Sequence, residues 1–371
     1  MRIADFRLER FFARWEFTAS HHLCASDVQG VPMAELVAMA DGECRAWWEA
    51  LALGYTESRG HPLLRAEIAS LYEQVESDDV LALTGAEEAI FLVMHALLEP
   101  GDHVVAVWPV YQALYEVARS IGADVTLVEL REDDGWRLDP SAFSAALRLG
   151  RTKLAVVNWP HSPTGSLATR AEFDEVVAAA REAGATLLQD EVYRFLEHDA
   201  ADRLPAAADV GGISLGVMSK AFGLAGLRLG WLATTDRDVL VRVARLKDYT
   251  TICGAAPSEV LAVIGLRSRD RLVDRALGFI RPNVEAWESW LAAHDGWSWR
   301  RPVAGSVGYV RLPEGAGSSA FCEQLAEAED VLLLPSSVFE HGDGHVRVGL
   351  GRPSIDEGLR RLDRFVDRQS G

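Results

Sequence analysis

Seven short apolar runs recur through the middle of the chain, at 80–83, 104–107, 125–130, 154–157, 186–188, 213–217 and 229–233. They are largely continuous rather than alternating in apolar character, so they predict strands buried on both faces. Helix-length stretches at 62–72, 86–97, 111–121, 140–149 and 170–183 separate them, the first with Pro62 in its opening turn. Strands that need cover on both faces and alternate with helices leave few architectures. The expectation is an α/β fold with a mostly parallel sheet flanked by helices. Beyond about residue 255 the pattern changes. A long helical stretch, 258–294, leads to strands at 306–312, 331–334 and 345–348 and helices at 319–327 and 355–366. We therefore expect a large domain over 46–260 and a smaller α+β domain over 261–371, with an N-terminal arm over 1–45 that joins the smaller one. The arm carries an aromatic, charged stretch at 8–17 that reads as an amphipathic helix, either packed on the body or laid over a cleft. Packing on the body is the simpler reading. His21 and His22 show no partner in sequence and read as structural.

In a parallel sheet, ligands collect at the carboxyl ends of the strands. The segment 219–231, Ser-Lys-Ala-Phe-Gly-Leu-Ala-Gly-Leu-Arg-Leu-Gly-Trp, follows one such end. Lys220 sits there among small and apolar residues, surroundings that favour the free, nucleophilic amine. Arg228, eight positions on, offers a fork for phosphate. A helix-flanking lysine beside a structural arginine would read the same way. At 84–87, Thr-Gly-Ala-Glu ends one strand and opens a helix, whose free N–H groups suit phosphate. An ordinary β–α turn fits equally well. Glu87 is an awkward neighbour for phosphate, so its amide is expected to face the ligand and its side chain to point away. Tyr111 follows another strand, placed to stack on a planar ring or to fill core. Residues 158–165, Asn-Trp-Pro-His-Ser-Pro-Thr-Gly, hold two prolines and a terminal glycine that stiffen a polar loop. Asp190 at a buried strand end is costly unless paired with a cation; a pyridinium nitrogen is one, and Tyr193 could reach the phenolic oxygen of the same ring. An aspartate capping the next segment is the other reading, but it explains Tyr193 less well. Arg347 alternates with apolar residues in a strand. That suits a bound carboxylate or a surface pair with Asp343.

In order and spacing, these residues resemble the fold-type I pyridoxal phosphate (PLP) enzymes, in the class I and II aminotransferase group related to aspartate aminotransferase. The motifs are Tyr55 with Gly60, Gly85-Ala86, Pro109 with Tyr111, Pro160 to Gly165, Asp190 with Tyr193, Ser219-Lys220 with Arg228, and Arg347. The resemblance implies that Lys220 holds the cofactor as a Schiff base and later moves the substrate proton. It implies that Asp190 keeps the pyridine nitrogen protonated, Tyr193 donates to the ring oxygen and Tyr111 stacks on the ring. Arg228 and the amides around Gly85, Ala86 and Glu87 would hold the phosphate, and Arg347 the substrate α-carboxylate. Tyr55 would reach the cofactor phosphate of a second subunit, which implies a homodimer with shared sites. Two positions depart from the family pattern. Ser162 stands where the family has asparagine, and Val217 where many relatives place a phosphate-binding serine. Ser219 compensates for Val217 only if its side chain turns inward.

Composition narrows the partners. The chain has 371 residues and 37 basic against 55 acidic side chains, a net charge of −18. Phosphate polymers and anionic membranes are repelled by such a surface, so neither nucleic acid nor membrane is an expected partner. The four cysteines lack metal-ligand spacing and read as reduced thiols, no metal is expected, and no secretory signal is apparent, which gives a cytoplasmic expectation. The expected activity is transamination between an L-amino acid and a 2-oxo acid. The alternative is a non-transaminating PLP reaction, such as a cyclase, eliminase or oxidase of a guanidino amino acid. The resemblance implies that enzymes of this group acting on dicarboxylates often place a partner-subunit arginine near 247–254; that segment contains no arginine here, which leans away from aspartate and glutamate as substrates.

Overall fold

A computed structural model describes residues 2–370. All seven apolar runs form strands of one sheet. Its order is Val80–Leu83, Gly230–Ala233, Ile213–Val217, Thr186–Asp190, Thr152–Asn158, His103–Trp108 and Asp124–Glu129. Only Gly230–Ala233 runs antiparallel to its neighbours. The central strands are buried along almost their whole length, which is why their sequence carries no polar alternation. Helices begin close to where the sequence places them, at Pro62, Gly85, Ala113, Pro140 and Arg170. Thr169 and Glu172 form a capping box at the last of these, and Gly184 ends the helix in a left-handed conformation.

A second, antiparallel sheet joins Leu334–Pro335, His345–Gly349, Val307–Arg311 and Ser298–Trp299. Helices Ser318–Glu329 and Asp356–Ser370 accompany it.

The structure departs from the sequence reading in three places. The stretch 258–294 is two helices, Ala256–Arg267 and Arg269–Ala292, broken where Ser268 leaves helical geometry (φ −102°, ψ 18°). The strand expected at 331–334 divides: Val331–Leu332 pairs in parallel with His21–His22, and Leu334–Pro335 joins the antiparallel sheet. Helix Arg237–Lys247, unread in the sequence, is capped by Asp236, whose carboxylate accepts from the Asp238 N–H at 3.1 Å.

The N-terminal arm departs from the simpler reading as well. Its helix, Arg7–Trp15, lies over a cleft at the carboxyl ends of the parallel strands, and Phe6, Leu8, Glu9 and Phe12 line that cleft. The Gln112 carboxamide fixes the helix start: its Oε1 accepts from the Arg7 N–H at 3.0 Å and its Nε2 donates to the Asp5 carbonyl at 3.0 Å. No helix among the described residues is long and apolar enough to cross a membrane.

Candidate active site

Parallel register sets the depth of the site. Asn158 lies opposite Asp190, and Asp190 opposite Leu215, so three strand ends form one floor. Asn158 ties them together: its Nδ2 donates to the Asp190 carbonyl at 3.0 Å, and its Oδ1 accepts from the Ser162 N–H at 2.8 Å. The loop that follows is stiff for local reasons. His161 Nδ1 and Thr164 Oγ1 are 2.7 Å apart, and burial pushes His161 down to about 3, so the ring is neutral. Gly165 closes the loop at φ +70°, where a Cβ would come within 2.4 Å of Pro302 Cβ and 2.5 Å of the Val307 carbonyl.

The floor opens into a cavity of about 640 Å³. Lys220, on the loop after Ile213–Val217, donates from Nζ to Ser26 Oγ at 2.8 Å and lies 5.7 Å from the centre of the Tyr193 ring. Asp190 is 4% exposed, and one oxygen accepts from the Val192 N–H at 3.1 Å. Burial pushes its carboxyl up to about 7 against the pull of that N–H and of Lys220.

Arg347 is 2% exposed. Its Nη2 donates to the Cys24 carbonyl at 3.0 Å, while its buried Nε has no hydrogen-bond partner among the described residues. It is not the surface partner of Asp343, which instead accepts from Ser318 and Ser319.

Arg228 adopts a left-handed backbone (φ +49°) after a short 3-10 turn. Its guanidinium reaches the first turn of helix Gly85–Leu97, so close that a Cβ on Gly85 (φ +81°) would sit 3.0 Å from Nη2. Ala86, Ser162 and Ser219 line the same cavity.

Two expectations need correction or placement. The Glu87 side chain does not point away. It faces the Tyr111 hydroxyl, Arg228, Glu9 and Asp190, and burial, then Glu9 and Asp190, push it up to about 7. The hydroxyl and the guanidinium oppose that push, which lets a carboxyl stay beside a helix start. Tyr55 is 93% exposed and does not line this chain's cavity. Tyr111 does, with its ring 5.0 Å from that of Phe6.

The sequence reading passed over Ser26, Glu9, Glu16 and Asp27, all of which line the cavity. Glu9 and Glu16 are seven residues apart, two helical turns, and that spacing was the available signal. Ser26 had none, because its meeting with Lys220 spans 194 positions.

The donor set fits PLP. Asp190, buried and accepting a single N–H among the described residues, suits a protonated ring nitrogen. The helix start at Gly85 with Arg228 makes a cradle for a phosphate. Lys220 Nζ shares the cavity with both.

Comparison with known proteins agrees. The family model for aminotransferase class I and II matches residues 43–362. Capreomycidine synthase from Streptomyces vinaceus is 30% identical over 82% of this chain and 79% of its own length. A PLP-dependent aminotransferase from Streptococcus suis superposes with a TM-score of 0.93 at 30% identity, covering 99% of each chain. The PLP-dependent cyclase OrfR superposes with a TM-score of 0.90 at 29% identity, covering 100% of this chain and 98% of its own. With a matching family model over most of its length and a strand-end site fit for the cofactor, the chain belongs to the class I and II aminotransferases and is a PLP-dependent enzyme.

Proposed function

We propose that the protein transfers an amino group between an L-amino acid and a 2-oxo acid. The carrying observation is the convergence of Lys220, Asp190 and Arg347 on one cavity. PLP, when bound, supplies the electron sink. The rest is the work of this chain's side chains. Arg347 receives the substrate α-carboxylate through a guanidinium already held by the Cys24 carbonyl. Lys220 Nζ would take the proton from the substrate Cα and deliver it two atoms along, a 1,3-transfer in which the amine is general base and then acid. Ser26 Oγ steadies that amine between transfers. With the cofactor bound, Asp190 would hold the proton on the ring nitrogen and Tyr193 would donate to the ring oxygen. Phe6, Leu8 and Phe12 on the roof limit water above the reacting carbon.

Two organisational features belong to this reading. The His21–His22 ladder with Val331–Leu332 and the Arg347–Cys24 bond support an arm (1–45) that works with a small domain (261–371) against a large one (46–260). Exposed Leu53 (85%), Tyr55 (93%), Tyr249 (91%) and Ile252 (52%) support a homodimer in which Tyr55 serves the neighbouring site. All four cysteines are free, in keeping with a cytoplasmic protein.

A second reading is non-transaminating chemistry, favoured by Ser162 in place of asparagine and by the similarity to capreomycidine synthase. One experiment separates the two. Amino acids are added singly to the holoenzyme with no 2-oxo acid present. Loss of the visible cofactor band, growth of a near-ultraviolet band and release of one equivalent of 2-oxo acid are expected. Oxygen uptake with ammonia release, or a cyclised product, would overturn transamination in favour of the second reading.

A further inference from the structure

The roof of the cavity carries charge that the proposed chemistry does not use. Five carboxylates line the cavity (Glu9, Glu16, Asp27, Glu87 and Asp190) against three cations, Lys220, Arg228 and Arg347. The three cations have tasks at the cofactor and at the α-carboxylate, and Asp190 has one at the ring nitrogen. Asp27 is paired, its Oδ1 accepting from Arg352 Nη2 at 3.2 Å, and Glu87 faces Tyr111 and Arg228.

Glu9 and Glu16 remain. Neither side chain forms an ion pair or hydrogen bond among the described residues, although His22 and Arg352 lie near enough to Glu16 to favour its charged form, and the two sit two turns apart on the inner face of the roof. Like charges held close repel unless something positive joins them. The cavity independently marks a ligand of defined polarity: Arg347, almost fully buried, lines it with a guanidinium whose one side-chain hydrogen bond among the described residues runs from Nη2 to the Cys24 carbonyl. A molecule whose carboxylate meets Arg347 extends into a space whose other uncommitted charges are negative.

We infer that the substrate is an amino acid with a cationic side chain, a guanidinium or an ammonium, recognised by Glu9 and Glu16 on the N-terminal helix. The inference rests on the reading of the cavity as the amino-acid site of a PLP enzyme. It gives the helix a task beyond shielding: the side chains that cover the cleft also choose what enters. The same arrangement disfavours acidic substrates, whose side-chain carboxylate would meet Glu9 and Glu16.

The test titrates holoenzyme with L-arginine and its neutral isostere L-citrulline, and with L-lysine and L-norleucine. Binding is followed by calorimetry, and the cofactor band by absorbance. The expected result is about tenfold or greater preference for the charged member of at least one pair, and the pair that discriminates identifies guanidinium or ammonium. Glu9→Gln and Glu16→Gln are expected to shrink that preference, and Glu9→Lys to reverse it. Equal affinities within both pairs, with the band still responding, would overturn the cationic specificity and leave the amino-acid site standing. No heat and no change of the band with any of the four would overturn both.

Discussion

The floor and the roof of one cavity are built on opposite principles. The floor is made of strand ends locked by buried hydrogen bonds: Asn158 to Asp190 and Ser162, and His161 to Thr164. The roof is a nine-residue helix, mostly exposed outside Leu8, and held through side-chain contacts at its two ends. Reaction chemistry needs atoms fixed to fractions of an ångström, and a doubly covered sheet provides that. Substrate choice needs only charge and shape at the far end of the ligand, which a helix tethered at its ends can present and alter cheaply. Changes in the floor should therefore cost far more than changes in the roof.

The largest expected effect is at Lys220. Lys220→Ala should lower turnover by about 10⁴-fold, the upper range for a positioned proton-transfer group. Borohydride should then no longer fix the cofactor to the chain, as read by mass spectrometry. Retained turnover would move the chemistry away from this loop.

Asp190 follows. In cofactor-free protein its carboxyl is raised from 3.8 to about 7 by burial. A raised acid keeps its proton in the folded state after the unfolded chain has lost it. Its contribution to stability is therefore present at low pH and is lost as pH climbs from about 4 through about 7. At 1.36 kcal/mol per unit, the loss is at most about 4 kcal/mol. Asp190→Asn removes this titration. Cofactor-free Asp190→Asn should melt near wild type at pH 4.5 and well above it at pH 8. With cofactor bound the order at pH 8 should reverse, because the carboxylate then faces a cation. Parallel melting curves across pH in the cofactor-free proteins would show that Asp190 is not held as described.

The same contrast explains what the sequence disclosed. Doubly buried strands leave largely apolar runs, and all seven runs became strands of the large sheet, although the edge strand Asp124–Glu129 is only partly buried. Residues at their ends are placed by the strands, so Asp190, Tyr193, Lys220 and Ser162 were legible once the runs were known. Helix Arg237–Lys247 escaped because only Val239, Leu240, Val243 and Lys247 of its eleven residues are buried, too few to outweigh its charged surface. The roof escaped for a different reason. Nothing in residues 6–16 says which of two surfaces the helix will meet; that depends on Gln112 and Glu340, more than a hundred positions away. The Glu87 side chain was misdirected because the local rule, carboxyl away from a phosphate cradle, was overridden by Tyr111 and Arg228 arriving from elsewhere.

Arg347 stands between floor and roof, and its predicted effect is intermediate. Arg347→Lys keeps the charge but loses the fork and cannot hold the Cys24 carbonyl and a substrate carboxylate together. One hydrogen bond to a charged group is worth roughly 1.5–3 kcal/mol, so KM should rise roughly ten- to hundredfold. An unchanged KM would place the substrate carboxylate elsewhere and dissolve the polarity on which the roof's role depends.

The smallest effect belongs to the roof's tether. Arg14 holds the helix to its neighbour through Glu323 at 2.9 Å and Glu327 at 3.4 Å, with all three side chains about half exposed. Pairs of this kind contribute about 0–1 kcal/mol, and salt weakens them further. Arg14→Ala should therefore barely move the melting temperature. It should raise the KM of a cationic substrate by less than about fivefold at low salt, and by less again at high salt. The helix start would still be fixed by Gln112, on both its faces. A loss of a hundredfold, or a loss insensitive to salt, would mean that the roof is as rigidly bound to the chemistry as the floor, and the division of labour between them would fail.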